Sequence, residues 1–244
     1  MDLGWLGHIT LDLAFFSALL SIVLIDLILS GDNSVVIAMA VRSLPQNKRI
    51  VGIAVGSAAA VGMRVILTFF AAHLLLIPFL KIVGGLLIAW IAVKLFVEGN
   101  AEKEVHQEAG SLLHAIKIIC LADLIMSTDN VLAVAGASHG NLFLLVFGLG
   151  LSIPIVVGTS TLLSLLMDTY PVIVYIGAAV LGKVAGEMLI TDPVMAKIFH
   201  PGHSLEYAIQ AFCAVAVVVA GKLLLRWRAN RMDKTFHKSV RAGV

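Results

Sequence analysis

Long apolar runs broken by short polar turns divide the chain into seven segments, near 12–41, 50–72, 79–98, 112–137, 141–166, 171–190 and 205–227. Each is close to or longer than the roughly 20 residues a helix needs to cross a hydrocarbon core. Turn residues separate them: Leu44-Pro45-Gln46-Asn47, Pro78, Ser138-His139-Gly140-Asn141, Tyr170-Pro171 and His200-Pro201-Gly202. The pattern predicts an all-α polytopic membrane protein with seven transmembrane helices.

Composition strengthens that expectation. Of 244 residues, 60% are apolar and only 13% charged, against roughly 25% charged in soluble domains. The whole of 1–244 therefore reads as a single membrane domain. Met1 to His8 hold no Lys or Arg, so a cleavable secretory signal is not expected. Cys120 and Cys213 both fall in apolar runs and are expected to be free packing residues. The basic residues set the orientation. Arg42, Lys48 and Arg49 follow the first span, and Lys222, Arg226, Arg228, Arg231, Lys234, Lys238 and Arg241 lie in or after the last. Seven spans put both groups in the cytoplasm if the N-terminus is outside. The basic tail, 229–244, is then expected to meet anionic lipid.

The chain also repeats itself. Asp26-Leu-Ile-Leu-Ser30-Gly-Asp32-Asn33 and the residues up to Ala40 align with Asp123-Leu-Ile-Met-Ser127-Thr-Asp129-Asn130 and the residues up to Ala137, with eight of fifteen positions identical at an offset of 97. Leu and Ile matches come cheaply, whereas Asp, Ser, Asp and Asn in one register do not. The repeats are 11–99 and 111–192, with a seventh helix at 204–228. Three spans is an odd number, so the second copy enters the membrane in the opposite sense: a 3+3 inverted repeat, the build of many secondary transporters.

Each copy carries two acids within an apolar span. An Asp at a helix centre costs about 2.5–3.5 kcal/mol on insertion scales, so intramembrane acids are functional candidates by default. Ser30 and Asn33 lie four and seven residues after Asp26, on one helical stripe; Asp32 is rotated about 120° from it, and the second copy behaves alike. Asp32 and Asp129 can join such a stripe only if the helix breaks, or else they face a neighbouring span. Gly31 eases a break in the first copy and Thr128 resists one in the second. The expected metal ligands are Asp26, Asp32, Asn33, Asp123, Asp129, Asn130, Ser30 and Ser127. An all-oxygen set suits Mg²⁺, Mn²⁺ or Ca²⁺ and not structural zinc. Clustered carboxylates repel one another, which makes proton-for-cation exchange chemically natural.

Other polar residues are weaker candidates. Structural pairing of the acids with Arg64 or Lys94 is the bland alternative, but four acids exceed the available bases. Lys94 and Glu187 would form a gating or structural pair across spans 3 and 6. Arg64 either lines the cavity or snorkels. His73 and His139 read as boundary histidines, and His139 could sense pH. Met39 and Met126 could soften a metal site, with packing the preferred reading. Gly52, Gly56, Gly62, Gly148, Gly150 and Gly158 read as close-packing positions.

With these motifs the chain resembles the TerC family, in its YjbE-like branch, grouped with the LysE superfamily of exporters. The resemblance spans the first six segments. It rests on Asp26 to Asn33 followed by Val35-Val36-Ile37-Ala38, and on Asp123 to Asn130 followed by Val131-Leu132-Ala133. It implies metal efflux, manganese foremost, with Asp26, Asp32, Asp123 and Asp129 holding the exported ion. The expectation is a non-enzymatic exporter of divalent metal, Mn²⁺ first, in the bacterial inner membrane, working by alternating access with proton coupling as an option. No fixed cofactor is expected. The partners are the metal ion and membrane lipid, with a homodimer as an option and no nucleic acid. A non-transporting metal-binding or tellurite-resistance partner is the alternative. An intramembrane aspartyl protease fits less well, since it needs single acids on two spans and usually a Gly-x-Gly-Asp signature.

Overall fold

The structure is a computed structural model describing residues 13–74, 77, 79–101, 111–138, 141–199 and 202–241. It is all-helical among these. The helices are α1 (Leu13–Leu29), α2 (Gly31–Val41), α3 (Gln46–Leu74), α4 (Leu80–Ala101), α5 (Leu112–Ser138), α6 (Leu142–Thr169), α7 (Val172–Ile190), α8 (Pro193–Phe199) and α9 (His203–Arg241). Helices satisfy every backbone group within the segment, which an apolar solvent demands. Five of them (α3, α4, α6, α7 and α9) are long and apolar enough to cross a membrane, and α1 with α2 makes a sixth, bent span. This is a multi-pass membrane protein. The seven-span count and the repeat are compatible with this arrangement.

The first span is broken. α1 and α2 meet at Ser30, whose backbone leaves the helix at φ −108°, ψ 11°, and their axes bend by 56°. Gly31 follows at once, the residue whose freer backbone leaves a helix at least cost. α5, at the corresponding place, runs unbroken through Thr128. The apolar, membrane-length part of α9 is His203–Arg228, and its helical backbone continues to Arg241. From Lys222 onward no Gly or Pro interrupts it until Gly243. α8 is a short addition, started by Asp192, whose Oδ1 accepts from the Val194 N–H at 2.9 Å.

Packing between the halves is reciprocal. α3 packs on α5, as α1 and α2 pack on α6; α3 meets α6, and α4 meets α7. Exchanging the halves maps this set of contacts onto itself. α9 lies outside the exchange, against α4 and α7. Small residues allow the closest approaches. A Cβ on Gly182 would sit 2.7 Å from Ala214 Cα, and one on Gly186 2.9 Å from Gln210 Cα, both on α9. Gly52, Gly56 and Gly148 pack tightly, as expected, against Leu44, Ile119 and Ile22. Gly62, Gly150 and Gly158 face open space and do not. The main core gathers α2, α3, α4, α5 and α7 around residues such as Ile53, Ile88, Phe96 and Leu181. A smaller one joins α1 to α6 through Ile22, Leu145 and Leu149. Met39 and Met126 belong to the main core, in line with packing. Cys120 and Cys213 are free thiols.

Candidate functional site

A buried ionic centre lies where α1, α2, α3, α5 and α6 converge, at the break of the first span. Asp26, Arg64 and Asp123 are exposed to only 2, 3 and 6%. The Arg64 guanidinium stands between the two acids. Its Nη1 donates to Asp26 Oδ1 and, at 2.8 Å, to Ser30 Oγ. Its Nη2 donates to Asp123 Oδ1, and its Nε to Ser127 Oγ at 3.0 Å. The serines also serve their own acids: Ser30 donates to Asp26 Oδ1 at 3.1 Å and Ser127 to Asp123 Oδ2 at 3.2 Å. The break lets Asn33 cross to the other half, where its Nδ2 donates to Asp123 Oδ1 at 2.9 Å. From α6, Ser152 donates to Asp26 Oδ2. Ser152 thus meets Asp26 from α6 as Arg64 meets Asp123 from α3, so the reciprocal arrangement carries a cation on one side only.

Asp26, Ser30 and Asn33 line one cavity although the break divides them between α1 and α2, and Asp123 meets Ser127. That cavity, of about 20 Å³, is lined by Asp26, Ser30, Asn33, Ser57, Arg64 and Asp123, among others, room for about one water-sized body. Two polar atoms there lack a hydrogen-bond partner: Asn33 Oδ1 and Ser57 Oγ.

The described residues include no group of three acids, histidines or cysteines able to hold a metal; the fourth acid of the expected convergence, Asp129, has its side chain outside them. Asp32 does not line the cavity. It opens α2, where its Oδ1 accepts from the Asn33 N–H at 3.0 Å, and its charge interacts with those of Glu187 and Arg64. An acid at a helix start complements the free amides there. The break that could have drawn Asp32 inward instead gives it this place. The side chains of Asp129 and Asn130 lie outside the described residues, as do those of His73 and His139.

Lys94 does not pair with Glu187. It approaches His114 Nε2 at 2.9 Å and Glu98 at 3.9 Å, and lies 5.3 Å from the Trp90 ring centroid. Glu98 is one turn away on α4 and α5 begins beside it, so both are nearer at hand. Ser57 and Ser152 had not been singled out. Ser152 had a readable signal, a hydroxyl two residues before Pro154 inside an apolar span. At one end of the bundle, Asp168 of α6 pairs with Arg42 at 3.3 Å and with Arg49. Arg49 also donates to the Arg42 carbonyl at 3.0 Å.

A many-helix membrane bundle with a buried carboxylate–guanidinium centre defines the class. Within it, the family model described as "Integral membrane protein TerC family" matches residues 11–231, and the chain belongs to that family. It is 41% identical over 209 residues to the "Uncharacterized membrane protein YjbE" of Bacillus subtilis (strain 168), covering 86% of this chain and 95% of that one. It is 29% identical over 154 residues to the "Uncharacterized membrane protein YceF" of the same organism, covering 59% of each. No solved structure matches.

Proposed function

We propose that this protein exports divalent cations, Mn²⁺ foremost, across the bacterial inner membrane, by alternating access around Asp26 and Asp123. The observation that carries this reading is the meeting of the first acid of each motif, from different helices, in one buried cavity. Ser30, Ser127 and Ser152 set hydroxyl oxygens against the carboxylates and Asn33 brings an unpartnered amide oxygen to the same cavity, a donor chemistry for hard divalent ions. Membership of the TerC family, with the manganese efflux its resemblance implies, supports it. The basic residues after the first and last spans favour a cytoplasmic C-terminus.

Binding requires Arg64 to move, because its guanidinium now holds the Oδ1 atoms of both acids. That contact favours a second reading, a structural ion-pair centre in a protein that moves no metal. An aspartyl protease is disfavoured, since its two carboxylates share a proton directly, whereas here a guanidinium separates them. Mn²⁺ flux into everted vesicles separates the first two. Export predicts accumulation above vesicles lacking the protein, with Asp26→Asn and Asp123→Asn lowering it at least about tenfold, the equivalent of ~1.4 kcal/mol. Equal flux in wild type and both variants would remove these acids from the transport site.

A further inference from the structure

We propose that Arg64 is a tethered counter-cation, which occupies the acids when no metal is bound and lets the empty protein return across its conformational cycle without a second ion. This rests on the transport reading above. Arg64 does more than approach one acid. It spans both, and it also takes Ser30 and Ser127, the hydroxyls that would complete a metal shell. The remaining carboxylate oxygens are held too, Asp26 Oδ2 by Ser152 and Asp123 Oδ2 by Ser127. A divalent ion would have to approach these acids against the charge of the guanidinium and in place of its hydrogen bonds. Metal and Arg64 are competitors for one position.

The cavity, with room now for about one water-sized body, marks the direction in which the displaced guanidinium would move, and it would have to widen to take the group. Ser57 lies seven residues before Arg64, two turns back on the same face of α3, and both line the cavity. Long helical side chains lean toward the helix N-terminus, which is the direction of Ser57. Ser57 Oγ and Asn33 Oδ1 both stand there unpartnered and able to accept hydrogen bonds. Burial decides the consequence. Two carboxylates left bare in a low-dielectric interior carry a large desolvation penalty, so a carrier emptied of metal needs some cation before it can close again. In most exchangers that is a second ion from solution; here one is attached to α3. The one-sided arrangement, Arg64 on α3 against Ser152 on α6, supplies a single such charge for the pair.

The test uses the purified full chain in liposomes and in detergent. Net Mn²⁺ uptake into metal-free liposomes is compared with exchange into liposomes preloaded with Mn²⁺, without a pH gradient. Wild type is expected to show net uptake comparable with exchange. In Arg64→Ala and Arg64→Gln the ratio of net uptake to exchange should fall at least about tenfold, and Arg64→Lys should recover part of it. Mn²⁺ binding in detergent is expected to tighten at least about tenfold in Arg64→Gln, because a competitor has been removed (tenfold corresponds to ~1.4 kcal/mol). An unchanged ratio, or weaker binding in Arg64→Gln, overturns the proposal. If Arg64→Ala does not fold, Arg64→Gln and Arg64→Lys decide the matter. Wild type showing neither uptake nor exchange removes the transport reading instead, and the binding comparison still judges whether Arg64 competes with metal.

Discussion

Asp26 and Asp32 are six residues apart, yet they serve different neighbours. Asp26 is enclosed by Arg64, Ser30 and Ser152; Asp32 accepts from the Asn33 amide in the first turn of α2. Substitution should separate the two roles. An acid in a helix first turn contributes typically ~0.3–1 kcal/mol, so Asp32→Asn is expected to cost about that much in a denaturant titration of the protein in mixed micelles. Breaking a buried ion pair costs ~3–5 kcal/mol, so Asp123→Asn should destabilise several times more, and the loss in Mn²⁺ flux should follow the same order. Equal losses for Asp32→Asn and Asp123→Asn would mean that Asp32 also belongs to the site. Arg64 explains why its own role was hard to read in the sequence. A cation in an apolar span is as consistent with snorkelling as with a buried centre, and only the rotation of α3 relative to α1 and α5 decides between them.

At the level of helices, Gly182 and Gly186 bring α7 against the backbone of α9. Gly186→Val would drive its side chain into Gln210 Cα and the Ile209 carbonyl, which stand 2.9 and 3.0 Å from the added Cβ. Overpacking of this kind costs roughly 1–3 kcal/mol, to be read as a lower thermal midpoint in detergent. Gly62→Ala, whose Cβ meets nothing within 4 Å, should leave the midpoint in place; equal shifts would show that α7 and α9 do not depend on their close contact. Helix positions and the weak point at Gly31 were legible, because each depends on residues within two turns of one another; whether the helix breaks there was left open by those residues. The α7–α9 contact, the partner of Lys94 and the place of Ser152 were not. They depend on the rotation of separate helices, which local periodicity leaves free. The difference between α2 and α5 was legible for the same local reason: Gly31 lowers the cost of leaving the helix and Thr128 does not.

On the scale of the whole molecule, one ion-pair cluster bears on how the chain threads the membrane. Asp168, at the end of α6, contacts Arg42 and Arg49 on either side of the turn between α2 and α3. Those two ends must lie on the same side of the bilayer, since a hydrocarbon core of about 30 Å separates its faces. Between them the chain passes through α3, α4, α5 and α6. Return to the same side requires an even number of crossings, and α3, α4 and α6 are each apolar and long enough to supply one. An even count therefore predicts that α5 supplies the fourth, carrying Asp123 of the central site into the membrane. The same counting puts the start of α5 on the side of Arg42 and the start of α6 opposite. In a chain with Cys120 and Cys213 replaced by alanine, an impermeant maleimide should label Gln46→Cys, Ser111→Cys and Thr169→Cys from one face of sealed vesicles. Asn141→Cys and Gly202→Cys should label from the other. With a cytoplasmic C-terminus, the first group is reached only in everted vesicles. Labelling of Ser111→Cys and Asn141→Cys from one face would mean that α5 does not cross, and Asp123 would then have no place in a path through the membrane.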